Sequence, residues 1–179
     1  MNMEAITEMT LLIEKVQFEI IDEKEWLKEL RKIAGRNGVH IICINNKLIT
    51  GRIHVKTAVC QALRAFKERR MIAQSLEMEV LLSAAATRQC HEAVNFGVHK
   101  GLNNCYLCII SEGYDKSKIS QELMNFMTKV DEDWELISEE RFQKIIGQYK
   151  ITPPELLLTG NLRLTELVVE RIAMLELDR

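Results

Sequence analysis

The sequence predicts an α+β fold in one domain, on three observations. A dense apolar run at 39–44, bounded by Asn45-Asn46, is too short for a helix and suits a buried central strand. Val55, Val59, Leu63 and Phe66 recur at the helical period, as do Leu164, Leu167, Val168, Ile172 and Leu175 near the other end. Between these stretches, elements of strand and helix character fall in the mixed order β-α-β-α-α-β-α-β-α. The chain of 179 residues, 47% hydrophobic, is enough for the core of one such domain.

Taken in order, residues 1–9 form an amino-terminal extension with no assigned structure, and residues 10–179 form the domain. Residues 10–21 mix alternation with β-branched side chains and predict a strand or a pair of short strands. Asp22-Glu23-Lys24-Glu25 is a capping box that opens a helix through Arg36, which Asn37-Gly38 stops. The helix carrying the Val55 to Phe66 stripe is expected from Arg52 to Arg70. Ser75 caps the next, an almost wholly apolar helix in which Ala84, Ala85 and Ala86 permit close packing. Further helix follows at 89–96, strand at 104–110, helix at 117–129 and a short strand at 134–137. Ser138-Glu139-Glu140 starts another helix with acids in its first turn. Thr152-Pro153-Pro154-Glu155 starts a short one that Gly160 ends, and an amphipathic helix interrupted by Arg171 closes the chain.

The composition narrows the function. Net charge is −2 and the pI is near 6.1, so an electrostatic partner site must be local. Five cysteines and an acidic start without a signal-peptide core point to a reducing, cytoplasmic setting, and charges interrupt every apolar run before it reaches membrane length. Cys105-Tyr106-Leu107-Cys108 is a C-x-x-C, but on a strand its thiols point to opposite faces, and no second pair completes a zinc site. Cys90-His91-Glu92 are chain neighbours on a helix and do not face one another. His40, His54, His91 and His99 lack metal-site spacing, no glycine-rich phosphate loop occurs, and Glu77 with Glu79 are routine first-turn acids. Neither a catalytic constellation nor a metal or cofactor site is expected.

One local feature stands out. Residues 47–70 carry Lys47, Arg52, Lys56, Arg64, Lys67, Arg69 and Arg70 against the lone acid Glu68, whereas 111–146 is acidic by comparison. Lys56, Arg64 and Lys67 share one side of the helix. That side is either a solvated face or a phosphate-binding one. The last helix has more apolar surface than one core contact requires, which fits a partner helix or lobe as well as core packing.

Ile72-Ala73, then Glu77-Met78-Glu79-Val80-Leu81-Leu82, then Thr87-Arg88-Gln89 and Glu92-Ala93 resemble the central block of the Cgi-type subunit of the KEOPS (EKC) assembly, the PRPK-binding protein family. His54-Val55-Lys56-Thr57-Ala58, with Gln61-Ala62 and Ala65, and the tail from Glu170 to Leu177 stand where that pattern expects them; the likeness runs from about Phe18 to the end. The resemblance implies helices packed on a small, about four-stranded, mainly antiparallel sheet. It further implies a non-catalytic subunit of a multisubunit complex, docking on the atypical small serine/threonine kinase/ATPase of that assembly. Such a subunit would recruit tRNA by its CCA end for threonylcarbamoyladenosine modification. Carried over, Lys56, Arg64, Lys67, Arg88 and Gln89 are the RNA candidates, and Leu76, Met78, Val168, Ile172 and Leu175 the kinase candidates. Many relatives place Ser-Gly just before Thr-Arg-Gln, where this chain has Ala85-Ala86. If that glycine serves close backbone approach to a ligand, the contact is altered here. The alternatives are a small cysteine-dependent hydrolase or redox protein, which requires a thiol of depressed pKa, and a stand-alone metabolite-binding module.

Overall fold

The first element is one strand rather than a pair, β1 (Met9–Ile20), with Val16, Phe18 and Ile20 turned into a core. A computed structural model describes residues 9–112, 115–159 and 163–177. The α+β expectation holds: a sheet of strand order β2-β3-β1-β4 is formed by β1, β2 (His40–Asn45), β3 (Gly101–Glu112) and β4 (Thr128–Lys129). β1 pairs antiparallel with β3 along its whole length, Met9 opposite Glu112 and Ile20 opposite Gly101, and antiparallel with β4 at Val16 and Gln17. The contacts gather the described residues into two compact units, one drawn from 1–44 and 98–131, the other from 45–97 and 132–179.

The first unit holds the sheet and two helices. α1 (Glu23–Asn37) starts where the Asp22 carboxylate accepts from the Lys24 and Glu25 N–H groups, and ends where Gly38, at φ 60°, turns its own N–H back to the Ala34 and Gly35 carbonyls. Its buried Leu30 and Ile33 meet Val16, Phe18, Cys105, Leu107 and Ile109 in one cluster. Trp26 stacks on Phe18 with ring centroids 4.7 Å apart, which pins α1 to β1. α5 (Lys116–Leu123) adds Ile119 and Leu123 to the same core.

The sequence expects this helix to run to 129, and it does not. At Asn125 and Phe126 the N–H groups turn to carbonyls three residues back. Residues 128–129 then pair with β1, and Val130 N–H reaches the Lys15 carbonyl at 2.9 Å. The open edge of β1 offers hydrogen bonds that a longer exposed helix would leave to water.

The second unit is helical: α2 (Arg52–Lys67), α3 (Leu76–Ala85), α4 (Cys90–Ala93), α6 (Glu139–Gln148), α7 (Pro153–Thr159) and α8 (Leu164–Leu177). α2 ends at Lys67, short of the expected Arg70, because Arg69 takes the left-handed conformation at φ 55°. Its Val55, Val59 and Leu63 are buried as expected, but Phe66 lies 40% exposed. α2 packs on α3 and α8, and α3 also meets α8. The buried Gln61 side chain donates to the Ile172 carbonyl at 3.1 Å, tying α2 to α8.

The strand expected at 134–137 is a turn. Its polar groups are committed elsewhere: the Trp134 carbonyl accepts from Arg141, and the Glu135 carboxylate accepts from the Arg52 N–H at 3.1 Å. Glu135 thereby caps α2, whose N-cap residue, Gly51, has no side chain to do so. The helix stop assigned to Gly160 lies outside the described residues.

Candidate partner and nucleic-acid interface

α2 is the natural starting point, because its sequence contains four cations and no acid. Its inner side, including His54, Val55, Ala58, Val59, Ala62 and Leu63, is buried; Ile53, Lys56, Arg64 and Lys67 are exposed. Lys56, Arg64 and Lys67 are therefore brought to one outer stripe, about 16 Å long at helical rise. Cys60 sits half-buried on that stripe. Burial pushes its thiol up, and Lys56 and Arg64, which pull it down, do not reverse the shift. The Cys43 thiol is likewise held up by burial, and Cys105 and Cys108 are buried on β3, with only Cys105 in the α1-facing core cluster. The upward shifts at Cys60 and Cys43 are opposite to the depressed pKa that a cysteine nucleophile needs. Cys90 is exposed.

Arg88 and Gln89 are exposed in the turn between α3 and α4. Gln89 lines an open cleft of about 570 Å3 with Thr87, Glu92, Tyr149, Lys150 and Arg171, and none of the α2 cations lines it. The RNA candidates thus fall in two places. The Thr87 hydroxyl donates to Glu92 at 2.5 Å and accepts from the Gln89 N–H at 3.2 Å, which fixes the turn. Ala86, just before it, closes α3 in the left-handed conformation at φ 48°, its N–H returning to the Leu82 and Ser83 carbonyls. A left-handed cap of this kind is one that glycine adopts freely.

Behind the cleft lies a buried polar lock that the spacing of the sequence does not announce. His54 Nδ1 accepts from the Thr50 N–H at 3.2 Å, which leaves the proton on Nε2 to be donated to the Ala84 carbonyl at 2.9 Å. The Tyr149 hydroxyl donates to the same carbonyl at 2.7 Å. Burial lowers the His54 pKa to about 4; the Ala84 carbonyl opposes the shift and Arg141 adds to it, so the ring is neutral at pH 7. Glu79, fully buried, accepts from the Ile72 and Ala73 N–H groups, both at 2.8 Å, and straps the α2–α3 connection onto α3. Its place in the first turn of α3 suggested a dipole partner; it is a backbone clasp instead. Arg171, the interruption in the α8 stripe, donates to the Tyr149 carbonyl at 3.3 Å and pairs with Glu155, whose carboxyl it holds down at about 2 with help from the Thr152 N–H and hydroxyl.

Leu76, Val168, Ile172 and Leu175 are buried, Met78 is half-buried, and Ala173 and Met174 face outward on α8. The four buried side chains hold α3 and α8 in place, and the outward ones form the surface.

Among the described residues no three of His, Cys, Asp and Glu gather as a metal site, and no helix is long and apolar enough to cross a membrane. A basic outer helix and an open polar cleft are the surfaces this arrangement offers, and its buried polar side chains are spent on holding backbone. The family model described as "Kinase binding protein CGI-121" matches residues 18–176. The "Regulatory protein Cgi121" of Methanocaldococcus jannaschii is 31% identical over 144 residues, covering 79% of this chain and 87% of that protein. The chain belongs to the CGI-121 family.

Proposed function

We propose that this chain is a non-catalytic regulatory subunit that binds the atypical kinase/ATPase of the KEOPS assembly and recruits tRNA by its CCA end for threonylcarbamoyladenosine modification. The kinase part rests on the family, whose description is that of a kinase binding protein over nearly the whole chain. The α3–α8 region is the proposed docking side, Met78, Ala173 and Met174 making contact and Leu76, Val168, Ile172 and Leu175 setting its shape. The tRNA part is carried by the acid-free stripe of Lys56, Arg64 and Lys67 on α2, with Arg88 and Gln89 as a second place of contact. Rows of cations on a near-neutral protein bind phosphates and release counterions, so affinity falls with salt.

The test is a salt titration of binding to intact tRNA and to tRNA without its CCA end, repeated with Lys56→Ala/Arg64→Ala. Binding that needs the CCA end and loses about two units of salt slope in the double variant supports the reading. Binding indifferent to both changes sinks tRNA recruitment by α2 and leaves kinase docking to be tested by co-purification with Met174→Glu.

A further inference from the structure

Phe66 belongs by sequence to the inner stripe of α2, yet the structure leaves it 40% exposed. It lines an open pocket of about 560 Å3 with Lys67, Arg69, Met71 and Ala73, within the ~300–1,000 Å3 typical of small-ligand sites. Arg69 takes a left-handed backbone, which a long side chain adopts at a cost and glycine would adopt freely. The nearby acid, Glu68, accepts from the guanidinium of Arg70, the nitrogen Nε standing 2.8 Å away. Beneath the pocket, the Glu79 clasp on Ile72 and Ala73 holds the wall in place.

The pocket thus joins an aromatic face to two cations and continues the basic stripe through Lys67. An aromatic ring beside phosphate-binding cations is the arrangement by which single-stranded nucleic acid is held, bases on the ring and backbone on the charges. We infer that Phe66 is a base-stacking platform for single-stranded RNA, with Lys67 and Arg69 taking the adjoining phosphates. This deepens the proposed tRNA reading and rests on it.

The experiment measures binding of the full chain to a 5′-fluorescein octaribonucleotide ending in CCA, and to the same strand with its last three bases removed to abasic sites. Phe66→Leu, which keeps bulk but loses the ring, is expected to weaken binding of the intact strand roughly 5- to 150-fold, the worth of one stacked base. The abasic strand should be bound equally by wild type and Phe66→Leu, and Phe66→Trp should restore the intact strand to wild-type affinity or better. Equal loss on both strands, no loss at all, or failure of the tryptophan to rescue overturns the platform. So does displacement of the strand by a polyglutamate peptide at matched charge, which would make the pocket an acidic-protein site. If Phe66→Leu is neutral while Lys56→Ala/Arg64→Ala still abolishes tRNA binding, the platform falls and the proposed function stands; if wild type binds neither strand nor tRNA, both fall.

Discussion

The two units bury polar groups in different ways. In the sheet unit the middle of the core is apolar, and its buried polar side chains lie at the margins: Asn103 holds the His99 to Gly101 turn, and Ser120 of α5 donates across to Glu14 of β1 at 2.5 Å. In the helical unit, buried or half-buried His54, Gln61, Arg141 and Tyr149 link different elements through backbone carbonyls, such as Tyr149 to Ala84 and Arg141 to Ile49. A sheet is positioned by its own ladder. Helices have no ladder between them, and beside their apolar packing, side-chain bonds to specific carbonyls help to fix their positions. The helical unit, which carries the basic stripe and both pockets, has a polar frame to hold those surfaces.

This contrast can be broken by mutation and by acid. The largest loss is expected from Leu107→Ala in the fully buried centre of β3, about 2–5 kcal/mol by urea denaturation, because an apolar core there has nothing to refill the cavity. Acid should strike the helical unit. His54 binds a proton at about 6.5 unfolded and about 4 folded, so the unfolded state holds more protons between these values and stability falls as pH drops through that window. The loss should be on the order of 3 kcal/mol by pH 4, and His54→Gln, though weaker at pH 7, should lose far less on acidification. Tyr149→Phe should cost about 1 kcal/mol, since the Ala84 carbonyl keeps its bond from His54. Smallest and opposite in sign, Ala86→Gly should gain roughly 0.5–1 kcal/mol by relieving the left-handed cap; a loss at that position would show the alanine packs for another reason.

Local chemistry was legible in the sequence where cause and effect lie within one turn. Asp22, Ser75 and Ser138 cap the helices they were expected to cap, and Asn37-Gly38 stops α1. The α8 stripe is legible as apolar, but periodicity gives a face and not its neighbour: Leu76, Val168, Ile172 and Leu175, which the resemblance offers as kinase candidates, are buried within this chain. The departures at 117–129 and 134–137 share a cause, namely backbone groups claimed by partners outside the segment, Lys15 in one case and Arg141 in the other. Glu79 and His54 could not be seen as a clasp and a lock, because nothing in a single sequence marks which carbonyls or amides a buried side chain will meet. Phe66 fits a helical stripe by spacing alone, and the early end of α2 puts it at the rim.

The most direct test of the central claim is steady-state threonylcarbamoylation by a reconstituted assembly carrying either this subunit or its Lys56→Ala/Arg64→Ala variant. A recruiter contributes substrate binding and no chemistry, so the account predicts that KM for tRNA rises about tenfold or more while kcat at saturating tRNA is unchanged. A fall in kcat at unchanged KM would contradict it and place the basic helix in the chemical step.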